Sequence, residues 1–344
     1  MKKLNFIIKY GLALLLLSFY SCESWLNVTP SDRLSEEMLF NDREGFVKAL
    51  NGVYIELNTN ELYGRNLTAG ALDVMGQYYS VASSSHAFYN YGGLVYTGND
   101  EKALFDNMWQ KCYAVIACCN TIIEKCDENK AGLSPVWKGS IKGEALALRA
   151  MLHFDMLRLF GPLTSELDKE SIPYQTNSDQ TVTPLLSGSE VIGLILDDLK
   201  NAVGLLKDTD PYFVEEEFSD TDLNYRRFRM NYFAAKGLMA RVQLWGGDKE
   251  KAAATAKEVI AEGQAEGAEF FPFVTNSEAT SSNPDRVFYS EVLFGTYHSS
   301  REKLHEDLFA PTLESTSILT LAGTARRDDL YDNENDYRYS VWST

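Results

Sequence analysis

Apolar residues recur at three- and four-residue intervals over long stretches of the chain, the spacing of helices that bury one face. The first stretch covers residues 42–58, where Phe46, Ala49, Leu50 and Val53 form a stripe, Asn41-x-x-Glu44 offers a capping box and Ser35 stands at an earlier N-cap position. A longer helix is predicted over 101–126 from Leu104, Phe105, Met108, Tyr113, Val115, Ile116, Ile122 and Ile123. Ser134-Pro135 then sets a cap before a proline at the first helical position, and the next helix runs to Phe160, where Gly161-Pro162 stops it. Ser187-x-x-Glu190 opens a helix over 188–206, and Gly246-Gly247-Asp248 joins two shorter helices at 229–245 and 249–262.

Short connections make 101–126 and 135–160 one antiparallel pair and 229–245 with 249–262 another. In the second pair Ala240, Ala252 and Ala256 sit at spacings near those of tetratricopeptide repeats, where small residues let helices approach closely. Such pairs bury against neighbours a face they cannot bury alone. Residues 59–100 break the helical pattern with Gly64, Gly70, Gly76, Gly92, Gly93 and Gly98 among Tyr63, Tyr78, Tyr79, Phe88, Tyr89, Tyr91 and Tyr96. A loop that long inside a compact domain is functional or disordered, and its aromatic load argues against disorder. From residue 270 onward the chain is irregular, with a strand-like fragment at Val287–Phe294.

Composition places the chain among packed soluble proteins: 344 residues, 45% hydrophobic and 24% charged. Its charge narrows the partners. The formal charge is −17, and residues 1–21 hold Lys2, Lys3 and Lys9 with no acid, so the remainder carries 29 Lys+Arg against 49 Asp+Glu, a balance of −20. A body that acidic is repelled by phosphate backbones and anionic headgroups, which argues against nucleic-acid binding and electrostatic membrane adsorption.

The three lysines, the apolar run Tyr10–Leu17 and the polar exit Ser18–Ser21 have the build of an export signal. The run is about half the ~20 residues a spanning helix needs. Ser21-Cys22-Glu23 after it looks like a bacterial lipobox, with Cys22 the acylated residue; Phe19 and Tyr20 depart from the usual pattern, and plain secretion is the alternative. Cys112, Cys119 and Cys126 repeat every seven residues, about 10 Å apart along a helix, too far for disulfides. With Cys118 they read as thiols filling a helix interface, since no CxxC or nearby histidine suggests a metal.

No catalytic constellation stands out. His86, His153, His298 and His305 lie in no HExxH or GxSxG setting, and there is no GxGxxG or P-loop. His153 is expected to be a packed core residue. Asp197-Asp198 reads as a solvated helix face rather than a carboxylate pair. Asp332–Asp336 has a calcium-loop look, but Tyr337 occupies the glycine position. Nothing calls for a metal or cofactor.

Several motifs in order carry a family resemblance: Cys22-x-x-Trp-Leu-Asn-Val-Thr-Pro30; Phe46–Tyr54; Trp109-x-x-x-Tyr113-x-x-Ile116-x-x-x-Asn120-x-Ile-Ile123; Gly143–Ala150 through Leu159-Phe-Gly-Pro162; Ala240–Ala252; and Ser290–Phe294. Together the sequence resembles the RagB/SusD family of Bacteroidetes outer-membrane lipoproteins. The resemblance implies a mostly α fold, SusD-like, with tetratricopeptide-like helix pairs and an irregular, loop-rich ligand-binding region. It implies a cell-surface, lipid-anchored outer-membrane protein that is not an enzyme. Such a protein binds an oligosaccharide or polysaccharide and delivers it to a SusC-like TonB-dependent transporter. Family members are longer and continue in further helices beyond a landmark like Asp336-Tyr-Arg338, so a C-terminal truncation is expected. The expected organisation is a signal at 1–21, an N-terminal region at 22–215 holding the loop 59–100, a second helix pair at 216–265, and an incomplete C-terminal region at 266–344.

Sugars need flat apolar surfaces for their C–H faces and planar polar groups at the rim, which Tyr, Asp, Asn, Gln and Arg supply. The main candidate is the loop, through Asp73, Gln77, Tyr78, Tyr79, Tyr89, Tyr91, Tyr96 and Asn99, with the alternative that its tyrosines pack it onto the body. Tyr297, His298 and Arg301 form a second. A peptide- or protein-binding helical scaffold of an uptake complex is the competing reading, because helical stacks present concave faces to peptides. A glycoside hydrolase would need two carboxylates across a cleft.

Overall fold

The computed structural model describes residues 36–179, 181–265, 268–321, 328–331, 333–336 and 339. The signal segment, Cys22, Asp332, Tyr337 and Arg338 lie outside the described residues. The architecture is mostly helical, as the periodicity predicts. Its principal helices are α1 (Arg43–Leu57), α2 (Asn99–Glu128), α3 (Pro135–Phe160), α4 (Gly188–Thr209), α5 (Tyr232–Trp245), α6 (Lys249–Gly263) and α7 (Arg301–Leu308).

Local chemistry sets the boundaries. Ser134 caps α3, Ser187 and Glu190 form the predicted capping box of α4, and Asn231 and Asp248 accept the first amides of α5 and α6. At α1 the cap is Asp42 rather than Asn41: its Oδ1 accepts from Gly45 N at 2.8 Å. Gly45 permits this geometry, because a Cβ there would overlap the Leu39 carbonyl. α5 begins at Tyr232, three residues later than the apolar pattern suggests, since 226–228 is a tight 3₁₀ turn.

α3 is the centre of the molecule, and its middle, from Gly139 to Leu157, is buried on nearly every side. α2 packs on one flank and α4 on the other, α5 lies on α4, α6 on α5, and α1 covers α2. The α3–α4 contact, which the pairing of short-looped helices does not predict, is made close by two glycines. A Cβ at Gly139 would stand 2.5 Å from Thr209 Cγ2, and one at Gly143 would stand 2.7 Å from Leu206 Cγ. Cys112, Cys119 and Cys126 fill the interface beneath α2 as expected, while Cys118 is exposed. Burial pushes the Cys126 thiol up to about 12, so it stays protonated.

Asp198 corrects the reading of a solvated pair. Only Asp197 faces solvent; Asp198 is buried and takes a bidentate bond from Arg149 (Nε–Oδ2 2.7 Å, Nη2–Oδ1 2.6 Å) and a third from Tyr174 (2.6 Å). His153 is the core residue expected. Its Nε2 accepts from Gln175 N (3.0 Å), which leaves Nδ1–H for the Arg149 carbonyl (2.9 Å), and burial lowers its pKa to about 3. The strand-like Val287–Phe294 forms a 3₁₀ turn over Tyr289–Glu291, because Asp285 accepts from Val287 N and Tyr289 N and folds the segment back. A satellite core of Ala71, Val74, Phe88 and Tyr91 with Leu308 and Leu319 binds part of the 59–100 loop to α7.

Candidate binding site

A concavity of about 800 Å³ opens between α1, the 225–229 turn and the 296–300 segment. α1 contributes Asn51, Tyr54 and Ile55, with Asn58 just past its end. Tyr225 and Tyr297 stand 58% and 59% exposed on its wall. Phe228 lies between them, its ring 6.3 Å from Tyr225 at 34° and 5.7 Å from Tyr297 at 83°; Tyr289 continues the row at 5.8 Å from Phe228. The result is a curved aromatic wall with hydroxyls, amides and one guanidinium at its edge.

Charge holds this wall in place from behind. Arg226, buried, donates Nε to Asp210 Oδ1 (2.9 Å) and Nη2 to Asp210 Oδ2 (2.6 Å), and Nη1 to Glu144. Glu144 also accepts from Tyr54 (2.7 Å) and from Arg229 Nε (3.1 Å). Tyr54 in turn accepts from Met230 N at 2.8 Å. Two guanidiniums face two carboxylates, so the cluster is neutral and its polar atoms are paired, which is what a buried network requires. Burial opposes the charge on Glu144, but Arg229 and Arg226 hold its carboxyl below the ordinary range. Arg226 points inward, while Tyr225, Phe228 and Arg229 of the same turn line the pocket.

The sequence candidates separate. Tyr297 is in the pocket, and Arg301 is exposed one residue beyond the pocket-lining Ser300, at the start of α7. His298 fixes this segment: Nδ1 accepts from Ser300 N (3.0 Å), leaving Nε2–H for the Gly64 carbonyl (2.9 Å). In the loop, Tyr91 is 3% exposed with Phe105 6.0 Å away, Tyr96 meets Phe105 edge-on at 5.3 Å, and Tyr79 lies 5.3 Å from Phe309. Those three pack the loop onto the body. Gln77, Tyr78, Tyr89 and Asn99 are exposed, with Gln77 in the left-handed region at φ 60° and Asn99 opening α2. Asp73 is half-buried, and desolvation raises its carboxyl to about 6. Tyr225, Phe228, Arg229, Asn51 and Asn58 are pocket residues the sequence reading misses. The alternation Tyr225-Arg-Arg-Phe-Arg229 just before the Asn231 cap is the signal that could have found them.

A family model described as "Starch-binding associating with outer membrane", SusD-like, matches residues 24–244. The chain belongs to the SusD-like family. Over 265 residues this SusD-like chain is 26% identical to SusD-like protein P2 of Formosa agariphila, a match covering 75% of the chain and 46% of that protein. It is 30% identical to a SusD-like protein of Bacteroides ovatus over 146 residues, 41% of the chain and 23% of the relative. The matches thus span less than half the length of these curated relatives. The fold is shared with a SusD-like carbohydrate binding protein from Bacteroides vulgatus (TM-score 0.65, 21% identity, 87% of this chain and 60% of that one). It is shared equally with a SusD superfamily protein from Bacteroides thetaiotaomicron (TM-score 0.62, 20% identity, 87% and 63%). Among the described residues no cluster of His, Cys, Asp and Glu gathers as metal ligands, and no helix is long and apolar enough to cross a membrane.

Proposed function

We propose that this chain is a non-catalytic, cell-surface glycan-binding protein, anchored in the outer membrane through Cys22, that captures oligosaccharides and hands them to a SusC-like TonB-dependent transporter. The observation that carries the reading is the curved aromatic wall of Tyr225, Phe228 and Tyr297, rimmed by Asn51 and Arg229, in the concavity beside α1. Tyrosine faces stack on pyranose C–H surfaces while hydroxyls and planar amides meet the ring hydroxyls. The family's description as starch-binding and outer-membrane-associated supports the same class of ligand and the same location. The loop residues Gln77, Tyr78 and Tyr89, which also face solvent, form a second contact surface for a longer oligosaccharide in this reading.

The test is a glycan array probed with the mature protein, followed by calorimetry on Tyr225→Ala and Tyr297→Ala, with a peptide library screened in parallel. Binding of oligosaccharides that both variants weaken supports the proposal. Retention of peptides but of no glycan would overturn it in favour of a scaffold role.

A further inference from the structure

The pocket differs in charge from the rest of the molecule. The chain holds 49 acidic residues, yet none of the residues lining this concavity is acidic. Behind the wall the buried cluster alternates in sign from the pocket inward. Arg229 comes first with its side chain 22% exposed, then Glu144 at 4%, Arg226 at 1% and Asp210 at 0%. The cluster is neutral as a whole, but its solvent end is a cation and its deepest member an anion. Such an ordering presents positive potential to the pocket without a net charge.

Arg229 is also held in one orientation. Its Nε is tied to Glu144, its Nη1 donates to Asn51 Oδ1 at 2.6 Å, and the guanidinium lies over the Tyr54 ring at 4.7 Å. Nε and Nη1 thus have acceptors, and Nη2 donates no hydrogen bond among the described residues, which leaves that one nitrogen for a ligand. Two other basic groups nearby are already used, while Arg301 stays exposed one residue beyond Ser300. Arg227 donates to the carbonyls of Tyr289 and Phe270, and both nitrogens of His298 are paired. Asp222, which borders a small cavity with Arg229 on the other side of the turn, is engaged by Ser219 in a capping box. Charges farther away are screened within ~8 Å at physiological salt, so the overall acidity of the chain does not cancel this local field.

We propose that the pocket selects anionic sugars, with Arg229 donating Nη2 to a carboxylate or sulfate oxygen while Tyr225 and Tyr297 stack on the sugar ring. A guanidinium hydrogen bond to an anionic oxygen adds charge attraction that a neutral hydroxyl lacks. This rests on the glycan-binding reading of the same pocket and narrows it beyond a neutral glucan.

The experiment compares four oligosaccharides of matched length on the mature protein by calorimetry: an oligogalacturonate, a sulfated galactan fragment, a neutral galactan fragment and a malto-oligosaccharide. The expected result is at least tenfold tighter binding of one or both anionic sugars than of either neutral one, with the advantage shrinking between low and high salt. The oligogalacturonate and sulfated arms separate carboxylate from sulfate recognition. Arg229→Gln should abolish the advantage of the anionic sugars over the neutral ones, whereas Tyr297→Ala should weaken all that bind and keep that advantage. Equal or tighter binding of the neutral sugars by the wild-type protein overturns the charge selection and leaves glycan binding standing. Binding of none of the four overturns both. The wild-type comparison and its salt dependence decide the matter even if Arg229→Gln is unstable.

Discussion

The tyrosine-rich loop 59–100 and the 225–229 turn both bring aromatic rings against the 296–309 segment, and they do opposite things with them. In the loop, Tyr91, Tyr96 and Tyr79 find Phe105, Phe309, Leu308 and Leu319 and pack as a satellite core. In the turn, Tyr225 and Phe228 flank an arginine that takes the inward place, and Tyr225 is left in solvent beside Tyr297. A glycine-rich, aromatic stretch lets its rings turn to the nearest apolar surface. A turn pinned by a buried ion network does not, because rotating Tyr225 inward would drag Arg226 from Asp210 and Glu144. Aromatic density alone is therefore a poor guide to a binding surface; what matters is whether a polar anchor keeps the rings from burying.

The largest effect should come from removing that anchor. Arg226→Met leaves Asp210 with backbone amides alone and Glu144 with one guanidinium, both buried, at a cost of about 3–5 kcal/mol. Urea unfolding measures it. Arg149→Met strands Asp198 in the same way on the α3–α4 side, but it should leave glycan affinity of the remaining folded protein intact, whereas Arg226→Met should not. Equal affinity in the two variants would mean that the turn is held by something other than Arg226.

Next come the rings themselves, which should separate stability from binding. Tyr91→Ala empties a packed site and is expected to cost about 3 kcal/mol of stability, in the range of large aromatic truncations. Tyr225→Ala and Tyr297→Ala remove exposed rings and should leave the denaturation midpoint nearly unchanged. Each should weaken glycan binding by about 2 kcal/mol, roughly thirty-fold, as truncation of a central contact does. A reversal of this pattern, with Tyr91→Ala stable but unable to bind, would move the site to the loop.

The helices were largely legible because their caps and periods are local. Ser134-Pro135, Phe160-Gly161-Pro162 and Ser187-x-x-Glu190 carry their boundaries in adjacent residues. The close α3–α4 contact was not, since nothing near Gly139 and Gly143 in sequence says that Thr209 and Leu206 will fill the space their missing side chains leave. The pocket was half legible. Tyr297 could be singled out by composition, but its companions come from α1 and the 225–229 turn, 246 and 72 residues earlier at Asn51 and Tyr225, and only tertiary packing joins them. Asp198 was misread for the same reason: its partner Arg149 is on another helix.

The smallest effect tests the loop from underneath its packed rings. Asp73 has its folded-state pKa raised from 3.8 to about 6 by desolvation. A raised carboxyl pKa means the folded protein binds the proton more readily than the unfolded chain, so this group contributes stability below about pH 4 and loses it as pH rises through 6. At pH 7 the carboxylate is ionised in both states and the folded state bears the desolvation cost. Asp73→Asn, neutral at every pH, should therefore stabilise the protein at pH 7 by at most about 1 kcal/mol, after allowing for solvent screening of a half-exposed group. The gain should shrink to a small remainder at pH 4, where the folded wild-type side chain is neutral and the unfolded one is only partly ionised. Thermal midpoints of the two proteins at both pH values measure this. A gain that is the same at pH 4 and pH 7 would show that the amide improves packing rather than relieving a charge, and Asp73 would then belong with the packed tyrosines around it rather than with a polar rim.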